Sequence, residues 1–216
     1  MKKKINRPGG WLLTATFSFL CLLAILAGCA GLLLGGGPSK TLYTLQEWEG
    51  EDCSGSKEAS SALRLVLAGT YAPPYIDSQS IIFSRETGTR AVYQLSGWVE
   101  PPPARFRSLL LRRLECERLF KEVSRAELSA DAELMLSTRL EEFYHDATEE
   151  PGKAMVKVRA ELFDLRRRHI LAVITLSESA VTPSFDARGA VHGLSQAMGA
   201  IIDELVKWLS QVGPKE

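Results

Sequence analysis

Met155-Val156-Lys157-Val158-Arg159-Ala160-Glu161-Leu162-Phe163-Asp164 alternates apolar and charged side chains with a period of two. Val156, Val158, Ala160 and Leu162 fall on one face of an extended chain, and Lys157, Arg159 and Glu161 on the other. The stretch therefore predicts a strand with one dry face and one wet face, part of a sheet covered on a single side. Arg166-Arg167-Arg168 marks the turn after it, and Ile170 to Leu176 predicts the returning strand. The three arginines admit two readings, a solvated hairpin tip or a site for an anionic lipid headgroup.

A helix must cover the dry face. Asp186 is a good N-cap for one. After it, Ala190, Val191, Leu194, Ala197, Met198, Ile201, Ile202, Leu205 and Trp208 recur at three- and four-residue spacing as a broad apolar stripe. Upstream, Leu134, Leu136, Thr138 and Leu140 alternate within a predicted strand over 133–143, and Leu119 to Val123 suggests a short one. Another helix follows Pro101-Pro102-Pro103, because proline is tolerated where the first N–H groups have no helical partner. Its stripe is Phe106, Leu109, Leu110 and Leu114. Arg113 falls inside that stripe and must snorkel out or find a partner.

Nearer the N-terminus, strands are predicted at Thr41–Gln46 and around Leu63, Leu65 and Leu67. Two more flank a hairpin turn at Glu86-Thr87-Gly88-Thr89. Residues 47–60 are polar and acidic and predict a loop. Strands, helix, strands, helix is the order of an α+β two-layer domain: a mainly antiparallel sheet with helices packed on one face.

The first 40 residues are of another kind. Lys2-Lys3-Lys4 and Arg7 precede an uncharged apolar run from Trp11 to Ala27, which ends in Leu26-Ala27-Gly28-Cys29. Basic, then apolar, then small residues is the layout of a secretory signal. An aliphatic residue, two small residues and a cysteine match a bacterial lipobox, in which the cysteine becomes the acylated first residue. The expected organisation is a signal peptide over 1–28, a lipidated Cys29 with its tether over 29–40, and a domain over 41–212. A second reading remains open, since the apolar run continues to Leu34. Those 24 residues are long enough to span a bilayer as an uncleaved anchor. In both readings the lysines stay inside and the domain faces away from the cytoplasm.

A mature chain starting at Cys29 has 188 residues, with 22 basic against 26 acidic side chains. That gives no support for nucleic-acid binding. Cys53 and Cys116 would remain as an even pair in an oxidising compartment. A bridge between them would close a loop of about 60 residues and contribute about 4 kcal/mol in the chain-entropy model. The competing reading makes Cys116 a buried thiol on an apolar helix face.

No catalytic or metal-binding constellation is legible, and no cofactor is implied. His145, His169 and His192 lie in no Gly-x-Ser-x-Gly, His-x-x-x-His or phosphate-cradling context. The acidic pairs Glu141-Glu142 and Glu149-Glu150 are explained by solvation. Trp98, Glu100, Pro101 and Pro102 have two readings. Proline runs are stiff and suit a partner surface, whereas a core tryptophan ahead of strand-ending prolines would be structural.

Taken in order, these segments resemble one family. Leu42-Tyr43-Thr44-Leu45 is an aromatic first strand, Pro74-Tyr75-Ile76-Asp77 a turn, and Trp98-Val99-Glu100-Pro101-Pro102 opens a helix. A closing helix ends near Trp208. From Cys29 to Gln211 the chain is similar to the ABC-type transport auxiliary lipoproteins, partners of mammalian-cell-entry (Mce) type lipid transporters such as the paraquat-inducible system. Ser78-Gln79 departs from the family's basic residue and proline after the turn, and Leu32 to Leu34 replace a polar tether. The resemblance implies a periplasmic component assisting lipid traffic beside an Mce-domain protein, a permease and an ATPase, with ATP hydrolysis in another subunit. Ala30, which is not aspartate, implies outer-membrane delivery under enterobacterial-type sorting. A homo-oligomer and a lipid-binding or envelope-assembly lipoprotein carrying its own apolar ligand are also compatible with the sequence.

Overall fold

A computed structural model describes residues 39–46, 58–128 and 131–213. The predicted signal, Cys29, most of the tether and Cys53 lie outside the described residues. From Lys40 onward the chain forms one unit. Its elements run β1 (Thr41–Tyr43), β2 (Arg64–Tyr71), β3 (Ser80–Ser84), β4 (Ala91–Trp98), α1 (Pro102–Glu117), β5 (Glu122–Arg125), β6 (Leu134–Asp146), β7 (Lys153–Asp164), β8 (His169–Val181) and α2 (Ala187–Val212). No helix among the described residues is long and apolar enough to cross a membrane.

β7 behaves as its alternation dictates. Ala154, Val156, Val158, Ala160 and Leu162 are buried, while Lys157, Arg159 and Glu161 lie on the opposite face. β6 and β8 flank it in long antiparallel ladders. The stripe of α2 packs across this face, with Ala190, Leu194, Met198, Ile201, Leu205 and Leu209 in the core. Asp186 caps α2 as expected, its Oδ1 accepting from Gly189 N at 2.8 Å.

The fold is α+β, with both helices contributing to one core, and the sheet is mixed. Three pairings among the described strands are antiparallel, and four are parallel: β1–β4, β2–β5, β2–β6 and β3–β6. The parallel pairs arise because one edge of β6 takes up two strands. β2 pairs along residues 134–139 and β3 along 145–146.

Several boundaries move for physical reasons. β1 stops at Tyr43, because Leu45 turns into the core and its carbonyl accepts from Arg105 Nε at 3.2 Å. The strand expected from Leu119 begins at Glu122, since Phe120 is buried as a plug. β8 runs on to Val181 because its ladder with β7 continues to Lys153. The hairpin at 86–89 forms as predicted, closed by Thr89 N donating to Glu86 O at 3.1 Å. Arg113 finds its partners in Glu117 Oε1 at 3.0 Å and Asp203 Oδ1 at 3.3 Å, which ties α1 to α2.

At the start of β6 a carboxylate joins three segments. Glu133 is buried and accepts from Arg64 N at 2.9 Å, Arg64 Nη2 at 3.0 Å and Arg166 Nη2 at 2.8 Å. The hydrogen bonds from Arg64 hold its pKa down at about 2. One of the three arginines is thus engaged with the sheet rather than simply solvated. A folded pKa below the usual 4.5 contributes stability that is present above that value and lost as pH falls toward 2. Glu133→Ala is expected to lower the melting temperature by roughly 3–8 °C at pH 7. It should also flatten acid unfolding between the two pKa values. Calorimetry across pH measures both effects.

Candidate functional site

Two clusters hold the residues that the sequence singles out. The first is the corner where β4 runs into α1. Trp98 is 1 % exposed, with its ring 5.8 Å from that of Phe143. Its backbone N–H donates to Gln79 O at 2.8 Å, and the next backbone N–H, of Val99, donates to Tyr43 O at 2.8 Å. Gln79 Nε2 donates back to Val99 O at 2.9 Å. The prolines then start the helix, with Pro101 O accepting from Ala104 N at 3.1 Å and Arg105 N at 3.2 Å. Pro102 and Pro103 are buried.

Part of the expected partner surface is therefore corrected. Trp98 and Pro102 face the core, where an apolar ring and a helix-starting proline gain most from burial, and neither is available to a partner. Pro101 is half-buried. Exposure at this corner belongs to Val99 and to Glu100, whose Oε1 lies 3.9 Å from Arg105 Nε.

The second cluster closes the far end of β6. His145 has no exposed surface, and its Nδ1 lies 2.8 Å from Tyr93 Oη. Thr182 Oγ1 donates its one hydrogen to the Pro151 carbonyl, which can only accept. Toward His145 Nε2, 3.4 Å away, the threonine oxygen is thus an acceptor. The neutral ring therefore carries its hydrogen on Nε2, and Nδ1 accepts from Tyr93. Phe185 meets the ring edge-on at 5.7 Å. Gly152, at φ +87°, lets the backbone pass where a Cβ would stand 2.2 Å from Nε2. Beyond a histidine at a strand end, no sequence pattern points to this cluster.

These groups hold structure together. His145, His169 and His192 lie on separate elements, β6, β8 and α2. Ser195, near His192 in sequence, already donates to Val191 O at 2.8 Å and accepts from Gln46 N at 3.2 Å. Among the described residues no group of three or more His, Cys, Asp or Glu could hold a metal ion. A cleft of about 300 Å³ beside the cluster is lined by the β6–β7 turn from Asp146 to Lys153 and by Val181 at the end of β8. Glu141 reaches Lys157 Nζ at 3.6 Å. Cys116 is disulfide-bonded, which removes the free-thiol reading. Cys21, Cys29 and Cys53, the other cysteines, lie outside the described residues.

A family model described as the ABC-type transport auxiliary lipoprotein component matches residues 43–206. The chain belongs to this family. The matched span runs from the end of β1 into α2 and so takes in both clusters. The crystal structure of a Xanthomonas campestris protein assigned to DUF330 is similar at a TM-score of 0.71 and 21% identity, covering 80% of this chain and 96% of that one. A crystal structure of an uncharacterised protein gives 0.62 at 11% identity, covering 79% and 99%. A PelC dodecamer from Paraburkholderia phytofirmans gives 0.46 at 19%, covering 76% and 95%. The first two share the auxiliary lipoprotein's fold. The search of curated proteins returned no match.

Burial holds the His145 pKa below its ordinary 6.5, and the nearby carboxylates of Asp146 and Asp186 only partly offset this. The unfolded chain thus binds the proton more readily, so this stability is present above 6.5 and is lost as pH falls below it. As pH falls below 6.5 the unfolding free energy should decline, whereas the carboxylates with lowered pKa values respond only at lower pH. In His145→Gln, this decline is expected to vanish, on a baseline lower by about 1–3 kcal/mol. Urea unfolding at several pH values measures it.

Proposed function

We propose that this auxiliary lipoprotein is a non-catalytic, lipid-anchored accessory of an Mce-type lipid transporter. It would be held through Cys29 on the periplasmic face of the outer membrane. The observation that carries the reading is the family match over residues 43–206, behind a sequence whose Leu26-Ala27-Gly28-Cys29 has the form of a lipobox. The domain's task would be to dock with the Mce-domain protein and keep it in register with the membrane, while the permease and ATPase supply movement. Multi-chain acylation makes the anchorage effectively permanent, at roughly 0.8 kcal/mol per buried methylene.

The packing between sheet and helices favours docking over carriage of an apolar ligand. Trp98, Phe106, Leu110, Leu140, Phe143, Ile201 and Leu205 fill that space as one buried cluster. Cys53 is the proposed disulfide partner of Cys116, because acylation occupies Cys29 and cleavage removes Cys21 with the signal.

The test is purification of the tagged full chain from its own envelope in mild detergent. An Mce-domain protein, a permease and an ATPase are expected to co-purify. Recovery of the acylated chain without any of them, after cross-linking in intact cells, would overturn the reading. In the same preparation, peptide mass mapping should find acyl chains on Cys29 and a non-reduced peptide joining Cys53 to Cys116. Cys29→Ser should lose the acyl chains.

A further inference from the structure

We propose that Leu42, Leu95 and Val99, with the Lys40 side chain laid over Gly97, form a surface that seats on the headgroup–acyl boundary of the membrane carrying the anchor. The inference rests on the lipid-anchor reading. It adds that the folded domain itself contacts lipid, in a fixed orientation.

Three exposed apolar side chains lie at the point where the chain leaves its tether. Leu42 is 55 % exposed, Leu95 51 % and Val99 51 %. Leu42 is in register with Gly97 across the β1–β4 pair. Leu95 and Val99 stand two residues to either side of that glycine. Val99 continues the ladder by donating to Tyr43 O, so Leu42 and Val99 lie on the face opposite buried Trp98. A Cβ on Gly97 would stand 2.6 Å from Lys40 Cε and 2.8 Å from Lys40 Nζ. The lysine stem thus fills the place of a side chain at position 97, and its ammonium lies at the surface. Apolar side chains with a snorkelling lysine suit an interface where acyl chains meet phosphates.

The chain outside the described residues selects the occupant. Ten residues, 30–39, separate Cys29 from Lys40, and none of them is charged. A chain that short extends at most roughly 40 Å, so the patch always stays within about a domain's width of the bilayer. Lys40 is the first charged group after the lipid cysteine, and it is a cation facing an anionic phosphate layer. Glu100, which follows Val99 in sequence, lies against Arg105.

The test uses the full acylated chain in phosphatidylethanolamine–phosphatidylglycerol vesicles with bromine on the acyl chains near the headgroup. A tryptophan reporter enters by Leu42→Trp or, as a control on the β8 strand, by Val173→Trp, both at exposed positions. Emission from position 42 is expected to fall to about half, as for an interfacial tryptophan, and emission from position 173 to stay unchanged. Adding Leu95→Glu and Val99→Glu to Leu42→Trp should abolish the quenching. Equal quenching at the two positions, none at either, or quenching that survives the glutamates would overturn the surface. So would shielding of position 42 by dimers without lipid quenching, since the occupant would then be a second copy. The mass of the N-terminal peptide is read separately. An acylated chain without quenching at 42 removes the surface and leaves the anchor, while an unacylated chain removes the anchor and quenching still judges the surface.

Discussion

The dry face of β7 against α2 is the constraint on which the rest of this structure depends. Five side chains at period two, Ala154 to Leu162, are sealed by a helix whose stripe is equally continuous. Slipping β7 by one residue would carry Lys157, Arg159 and Glu161 into the core, so the hydrophobic pattern alone pins the register. The ladders with β6 and β8 extend that register to three long strands. β2 and β3 then add to the free edge of β6, β4 adds to β3, and α1 is strapped to α2 through Arg113.

Polar chemistry is concentrated at the two ends of β6, and at both ends it is satisfied. Glu133 before the strand gathers donors from β2 and from the β7–β8 turn. His145 at its end gathers Tyr93 and Thr182. A buried polar group that is fully paired costs little, and one left unpaired costs a great deal. These two residues therefore penalise any alternative pairing of the central strand.

Much of this was legible in the sequence because it rests on local periodicity. The β7 alternation, the α2 stripe with its Asp186 cap, the α1 stripe and the Glu86–Thr89 turn are all short-range patterns. What escaped depends on distant partners. Nothing near Ser177-Glu178-Ser179 announces a strand; β7 extends it. The parallel placement of β2 and β3 on β6 joins segments about 65 residues apart, which no local pattern encodes. Trp98 and Pro102 were ambiguous for a related reason, since a motif of tryptophan and prolines looks the same whether it faces a partner or its own core. His145 escaped because its role comes from Tyr93 and Thr182, neither of them near it in sequence.

The shared edge of β6 has a further consequence for how such a chain can reach its final form. A polypeptide made from its N-terminus presents β2, β3 and β4 well before residue 134 arrives to receive them. Until then Leu65, Leu67 and Ile81, all buried in the finished domain, have no central strand to pair against. Non-local pairings of this kind close late. The front half would stay sticky until β6 arrives, and the exposed apolar strands of that interval are the ones most open to wrong pairing.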